Sequence, residues 1–202
     1  MKKLLTLIAV IGVIAAPAKA QEQNAPSGVQ PFIGLEFAKD SVGLAEYLDG
    51  KVADEANSFS ASVGFRTKNQ TPVGLSLFYQ KSSEEDTPVY LIATGEPGTT
   101  TAKFEAFGLD GSFYAPLAEH LYLTGSFGLG LYTFDVSDSW GMYNSSADFT
   151  GVRLGVGLEY QIADKFAVNA GFRYVGLIDN DENSYDSVEN LKEATIGVKF
   201  YF

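Results

Sequence analysis

From Pro31 to Phe202, apolar and polar side chains alternate with a period of two, and the pattern recurs in eight segments. That period puts successive side chains on opposite faces of a strand and is incompatible with the 3.6-residue repeat of a helix. The segments are Pro31–Lys39, Ser58–Thr67, Pro72–Lys81, Ala102–Tyr114, His120–Phe134, Asp148–Gln161, Phe166–Ile178 and Asn190–Phe202. Each carries one apolar stripe, such as Ile33, Leu35 and Phe37 in the first and Leu121, Leu123, Phe127, Leu129 and Leu131 in the fifth. The last alternates to its final residue. Ala194, Ile196, Val198, Phe200 and Phe202 share one face, and Thr195, Gly197, Lys199 and Tyr201 the other. Chain ends of soluble domains usually fray. A membrane-spanning strand instead needs an apolar stripe with an aromatic residue at the interface.

The connections alternate in length. Lys68–Thr71, Ala115–Glu119 and Ile162–Lys165 are short, whereas Asp40–Asn57, Ser82–Thr101, Asp135–Ala147 and Asp179–Glu189 are long. Short turns at one rim and long loops at the other are the rhythm of an outer-membrane barrel, with the short turns periplasmic. An even number of strands brings both ends of the barrel to that rim. The fold expected is all-β, a single eight-stranded antiparallel up-and-down transmembrane β-barrel.

Which face points inward follows from the polar stripe. It is rich in glycine and serine, among them Gly64, Gly108, Gly128, Gly155, Gly171, Ser62, Ser76, Ser112 and Ser126. A water-facing exterior favours long charged side chains, whereas the interior of an eight-stranded barrel has room only for small ones. Glycine weakens a strand and so needs a packing reason. The apolar face is therefore expected to meet lipid. Seven charges on the polar face, Glu36, Arg66, Asp110, Arg153, Glu159, Arg173 and Lys199, should converge in the lumen. Charges in so narrow a space must pair or stay hydrated. They form either an ion-pair plug or a gated polar path. Phe65, Phe113, Tyr160 and Phe202 are expected at the periplasmic interface, and Phe37, Tyr79 and Phe134 at or near the outer one. Trp140, the single tryptophan, falls in the third long connection and is expected to pack there.

The beginning of the chain has the order of a secretory signal peptide: Lys2 and Lys3, the apolar run Leu4–Ala16, then Ala18-Lys19-Ala20 as cleavage site. Residues 1–20 are read as that peptide, 21–30 as a short polar linker and 31–202 as the barrel domain. The apolar run is shorter than the roughly 20 residues of a spanning helix, and no comparable run follows. Cleavage before Gln21 would remove three lysines and no acid, taking the formal charge from −11 to −14. Such a chain lacks the basic surface of a nucleic-acid binder. It contains no cysteine, so an exported product would depend on its sheet and not on disulfides.

The signal peptide, the eight strands, Gly155–Tyr160 followed by Gln161-Ile162-Ala163-Asp164-Lys165-Phe166, Gly171-Phe172-Arg173-Tyr174 and the terminal Phe200-Tyr201-Phe202 resemble the small outer-membrane β-barrel family. That family includes the transmembrane domain of outer membrane protein A and the opacity-type surface proteins. The resemblance spans nearly the whole mature chain. It implies residence in the bacterial outer membrane, and it makes Val198, Phe200 and Phe202 the counterpart of the signal read by the barrel-assembly machinery. It brings no catalytic motif with it.

The residues agree on that last point. Acyl transfer or hydrolysis at the outer leaflet calls for a nucleophile or base, usually with histidine. The one histidine, His120, lies beside a short turn, on the periplasmic side. One histidine and no cysteine make a zinc site improbable. The long connections are acidic. Asp179, Asp181 and Asn183 resemble the opening of a calcium loop, but Ser184 and Asn190 stand where its glycine and glutamate belong. The expectation is a non-enzymatic surface or envelope-integrity protein without cofactor, favoured as a monomer. Its partners would be outer-membrane lipid and lipopolysaccharide, with divalent cations as one means of bridging. A narrow porin-like channel for ions or small solutes is the alternative.

Overall fold

The computed structural model describes residues 28–44, 54–69, 71–90, 96–141, 144–179 and 188–202. The expected signal peptide, the linker up to Ser27, and Asp181, Asn183 and Ser184 of the calcium-like segment lie outside the described residues. The strands are β1 (Val29–Leu44), β2 (Glu55–Thr67), β3 (Val73–Ser82), β4 (Glu85–Tyr90), β5 (Pro97–Ala118), β6 (Leu121–Asp138), β7 (Asn144–Ala163), β8 (Phe166–Asp179) and β9 (Val188–Tyr201). Val29 and Gln30, expected in the linker, open β1.

All pairings are antiparallel, and the ring is closed. Consecutive strands pair throughout, except that β3 does not pair with β4 but bonds directly to β5, and β1 bonds to β9. Because β3 and β4 both pair with β5, they are two pieces of one spanning strand, so the nine segments build eight staves. At the break, Ser83 Oγ lies 3.0 Å from the Asn57 carbonyl and 2.6 Å from the Glu85 carboxylate, with one hydroxyl proton to share between them. The register fixes the geometry. Starting at Phe32 and stepping through Gly64, Ser76, Asp110, Gly128, Arg153, Val175 and Leu191 returns to β1 at Val42, ten residues higher. A stagger of ten over eight strands tilts them by about 40° and gives a backbone radius of about 8 Å.

Large apolar side chains cover the outside. Ile33, Leu35, Phe37, Val63, Leu129, Leu154, Val156, Phe172, Ile196 and Phe202 are all exposed. A contiguous apolar surface of this extent marks contact with an apolar medium. Phe65, Phe113, Tyr160 and Phe202 lie exposed towards the rim with the short turns, and Phe37 and Tyr79 lie exposed towards the other end. Phe134 departs from the expected outer girdle. It points inward, is 8% exposed, and packs edge-on against Phe149 at 5.5 Å. Its neighbours Leu131 and Thr133 belong to the outward set, and the pleat puts an even-numbered residue of β6 inside.

The long connections are shorter than expected because the strands run on past the lipid-facing band. β1 continues to Leu44, β2 begins at Glu55, and β5 and β6 stay paired out to Thr100 and Asp138. Polar residues in these extensions carry no membrane periodicity, so they read as loop. Trp140 packs against Gly98, where a side chain would meet its indole. On the opposite rim the Glu119-His120 turn is tight enough to hold His120 at φ 72°.

Candidate functional site

The barrel interior is the site to consider, and it is layered. Nearest the short turns, Glu159 on β7 is fully buried between two cations. Arg66 Nη1 lies 3.1 Å from Glu159 Oε1, and Lys199 Nζ lies 2.7 Å from Oε2. The Tyr201 hydroxyl donates to the same carboxylate at 2.7 Å. Arg66 Nε and Nη2 donate to Gln30 and Gln161, both at 3.2 Å, and the guanidinium stacks on the Tyr201 ring at 4.0 Å. Lys199 also donates to the Tyr114 hydroxyl at 3.2 Å. Every charge in this layer has its partners, as a buried group must if desolvation is not to dominate.

Above it lies a belt of small side chains. Ser62, Ser76, Ser112, Thr124, Ser126 and Thr195 line a cavity of about 110 Å³. This polar space, walled by hydroxyls, is roomy enough to hold water. The glycines of the belt let the staves approach. At Gly64 a Cβ would collide with the Leu75 carbonyl, and at Gly108 with that of Leu129.

A second ionic layer closes the belt. Arg173 on β8 bridges Glu36 at 2.7 Å and Glu193 at 2.6 Å. Asn169 donates to Glu36 at 3.2 Å, and Gln80 to Glu193 at 2.9 Å. Arg153 faces Asp110 at 3.4 Å, beyond good hydrogen-bond length, and its guanidinium lies 3.4 Å over the Phe78 ring. This layer is incompletely satisfied. Arg153 Nε and Nη1, Asp110 Oδ1, Gln80 Oε1 and both carboxylate oxygens of Asp40 have no hydrogen-bond partner among the described residues. Beyond it stands an apolar plug of Phe78, Phe104, Tyr132, Phe149, Val175 and Leu191, all buried.

The structure thus brings all seven charges read from the polar stripe into the lumen, divided between two layers: Arg66, Glu159 and Lys199 below, Glu36, Asp110, Arg153 and Arg173 above. The sequence reading omitted Glu193, although it shares the parity of Lys199 and Tyr201 and could have been found that way. It placed Asp40, which is buried, in the first long connection, and it omitted the inward aromatic residues of the plug, Phe78, Phe104, Tyr132 and Phe149. Val198, Phe200 and Phe202 lie on the lipid-facing side of β9, with Phe200 and Phe202 edge to face at 5.3 Å. His120 stands half exposed at the short-turn rim, 3.7 Å from Glu119.

The family described as outer membrane protein beta-barrel domain matches residues 6–202. Among solved structures, the chain is similar to the attachment invasion locus protein Ail of Yersinia pestis, at 17% identity over 86% of this chain and 98% of that one, with a TM-score of 0.55. It is similar to the N-terminal barrel domain of Pseudomonas aeruginosa OprF, at 18% identity over 87% and 100%, TM-score 0.54. OprG from Pseudomonas aeruginosa matches at 15% identity over 90% and 99%, TM-score 0.52. At these identities the likeness is one of fold. No curated protein matches the chain by sequence.

Proposed function

Because this chain belongs to the outer membrane protein β-barrel family, we propose that it is a non-enzymatic integral protein of the bacterial outer membrane. Its role is to support envelope integrity and to present its acidic outer segments for contact with the outside. The observation that carries this reading is the filled interior: two ionic layers and an apolar plug stand in series across the lumen. The non-enzymatic part draws on His120, which stands at the rim opposite the loops, 3.7 Å from Glu119. Export with cleavage near Ala20 belongs to the same reading, and N-terminal sequencing of the outer-membrane form should begin at Gln21.

A narrow channel for ions or small solutes is the second reading, favoured by the hydroxyl-lined cavity between the charged layers. Planar-bilayer recording of folded protein separates the two. Silence is expected. A steady conductance that changes in Glu159→Ala or Arg173→Ala would overturn the first reading in favour of the channel.

A further inference from the structure

We propose that a groove on the outer half of the lipid-facing wall, across β7, β8, β9 and β1, binds a phosphorylated, multiply acylated glycolipid of the outer leaflet. The inference rests on the reading of outer-membrane residence with the long connections outward. The groove measures about 650 Å³, within the range of small-molecule sites. Its floor is Ala194, which the register sets between Phe172 on β8 and Lys39 on β1. Leu154, Phe172 and Tyr174 form the wall, an apolar bed for an acyl chain.

The outward side chains at the head of the groove are Lys39, Lys192 and Glu55; Asp40, Arg173 and Glu193, which also border it, belong to the lumen side. Lys39 pairs across the strands with Ala194, and Lys192, two residues away on β9, pairs with Ser41 and Tyr174. The two lysines are therefore diagonal neighbours, close enough to repel. Glu55 meets Lys39 at 2.8 Å, and Lys192 has no acidic partner among the described residues. Two cations with one acid leave positive charge at head-group height on a chain of formal charge −11. A phosphate is the group that relieves it, with lysine acting as a point charge.

A second lipid-facing groove supplies the contrast. It measures about 530 Å³ and lies between Phe37, Phe59 and Tyr79 over Ala61. Its lysine, Lys81, is neutralised by Glu105 at 2.7 Å, so it offers an anion no surplus charge.

The test reconstitutes the full protein in phosphatidylcholine vesicles containing 5 mol% lipid A. Native mass spectrometry after detergent extraction counts the lipid retained, and heat-modifiable mobility verifies folding. Wild type should keep one lipid A per barrel, with or without EDTA. K39Q/K192Q and A194L should each retain at least ten-fold less, and K81Q should match wild type. Unchanged retention in K39Q/K192Q, loss from wild type on chelation, or equal retention of phosphatidylglycerol in place of lipid A would overturn the proposal. Failure of outer-membrane residence itself would show separately, as wild-type protein missing from the outer-membrane fraction of cells.

Discussion

The two ionic layers of the lumen contain similar groups and solve the problem of buried charge differently. In the layer near the short turns, Glu159 is enclosed by Arg66, Lys199 and Tyr201, and each guanidinium nitrogen of Arg66 donates a hydrogen bond. In the outer layer, Arg173 is well held, but Arg153 and Asp110 meet at 3.4 Å with polar atoms left over. The difference follows from what surrounds each. The inner layer is framed by tyrosine hydroxyls and glutamine amides that can donate or accept. In the outer layer Asn169 and Gln80 serve the two glutamates, but Arg153 abuts the face of Phe78, which offers it no hydrogen-bond acceptor. Completeness of partners, and not the number of charges, should decide which layer holds the barrel together.

Glu159→Gln should break the comparison most sharply. It leaves two buried cations without their counter-charge, a loss of the order of 3–5 kcal/mol. Urea unfolding of the reconstituted barrel, followed by tryptophan emission and gel mobility, measures it; a loss below about 1 kcal/mol would contradict the central place given to Glu159. The next test pairs two tyrosines. Tyr201→Phe removes a hydrogen bond to a carboxylate and should cost about 1.5–3 kcal/mol. Tyr132→Phe removes a buried hydroxyl that has no partner among the described residues and should be neutral or slightly stabilising in the same titration. Equal costs would mean that the two environments do not differ as described. Smallest of all, the double variant D110N/R153M should unfold within about 1 kcal/mol of wild type. It removes a poorly coupled pair and keeps a soft contact on Phe78.

How much of this was legible before the structure depends on the kind of signal. The outward stripes and the seven lumen charges follow from parity alone, because a period of two leaves no choice of face once glycine and serine mark the interior. Phe78, Phe104, Tyr132 and Phe149 obey the same parity, yet an apolar residue on a polar stripe reads as noise unless its register is trusted. Glu193 was missed for a related reason, since it lies near an acidic connection and resembled surface. The strand extensions beyond the lipid were illegible by periodicity: with water on both faces, no alternation is imposed. The split of the third strand at Ser83 likewise depends on a tertiary contact, to Asn57 on β2.

The seam between β1 and β9 has a kinetic consequence. Every other seam of the ring joins consecutive spanning strands, but this one pairs Phe32 with Tyr201, 169 positions apart. Until it closes, the barrel is a curled sheet with two open edges, each a template for unwanted pairing. Closing it requires the most distant contact in the chain, whose entropy must be met before any of its bonds form. Once closed, no strand in the ring can leave without its neighbours. The seam is therefore where assembly should be slowest, and where the finished protein gains a long lifetime.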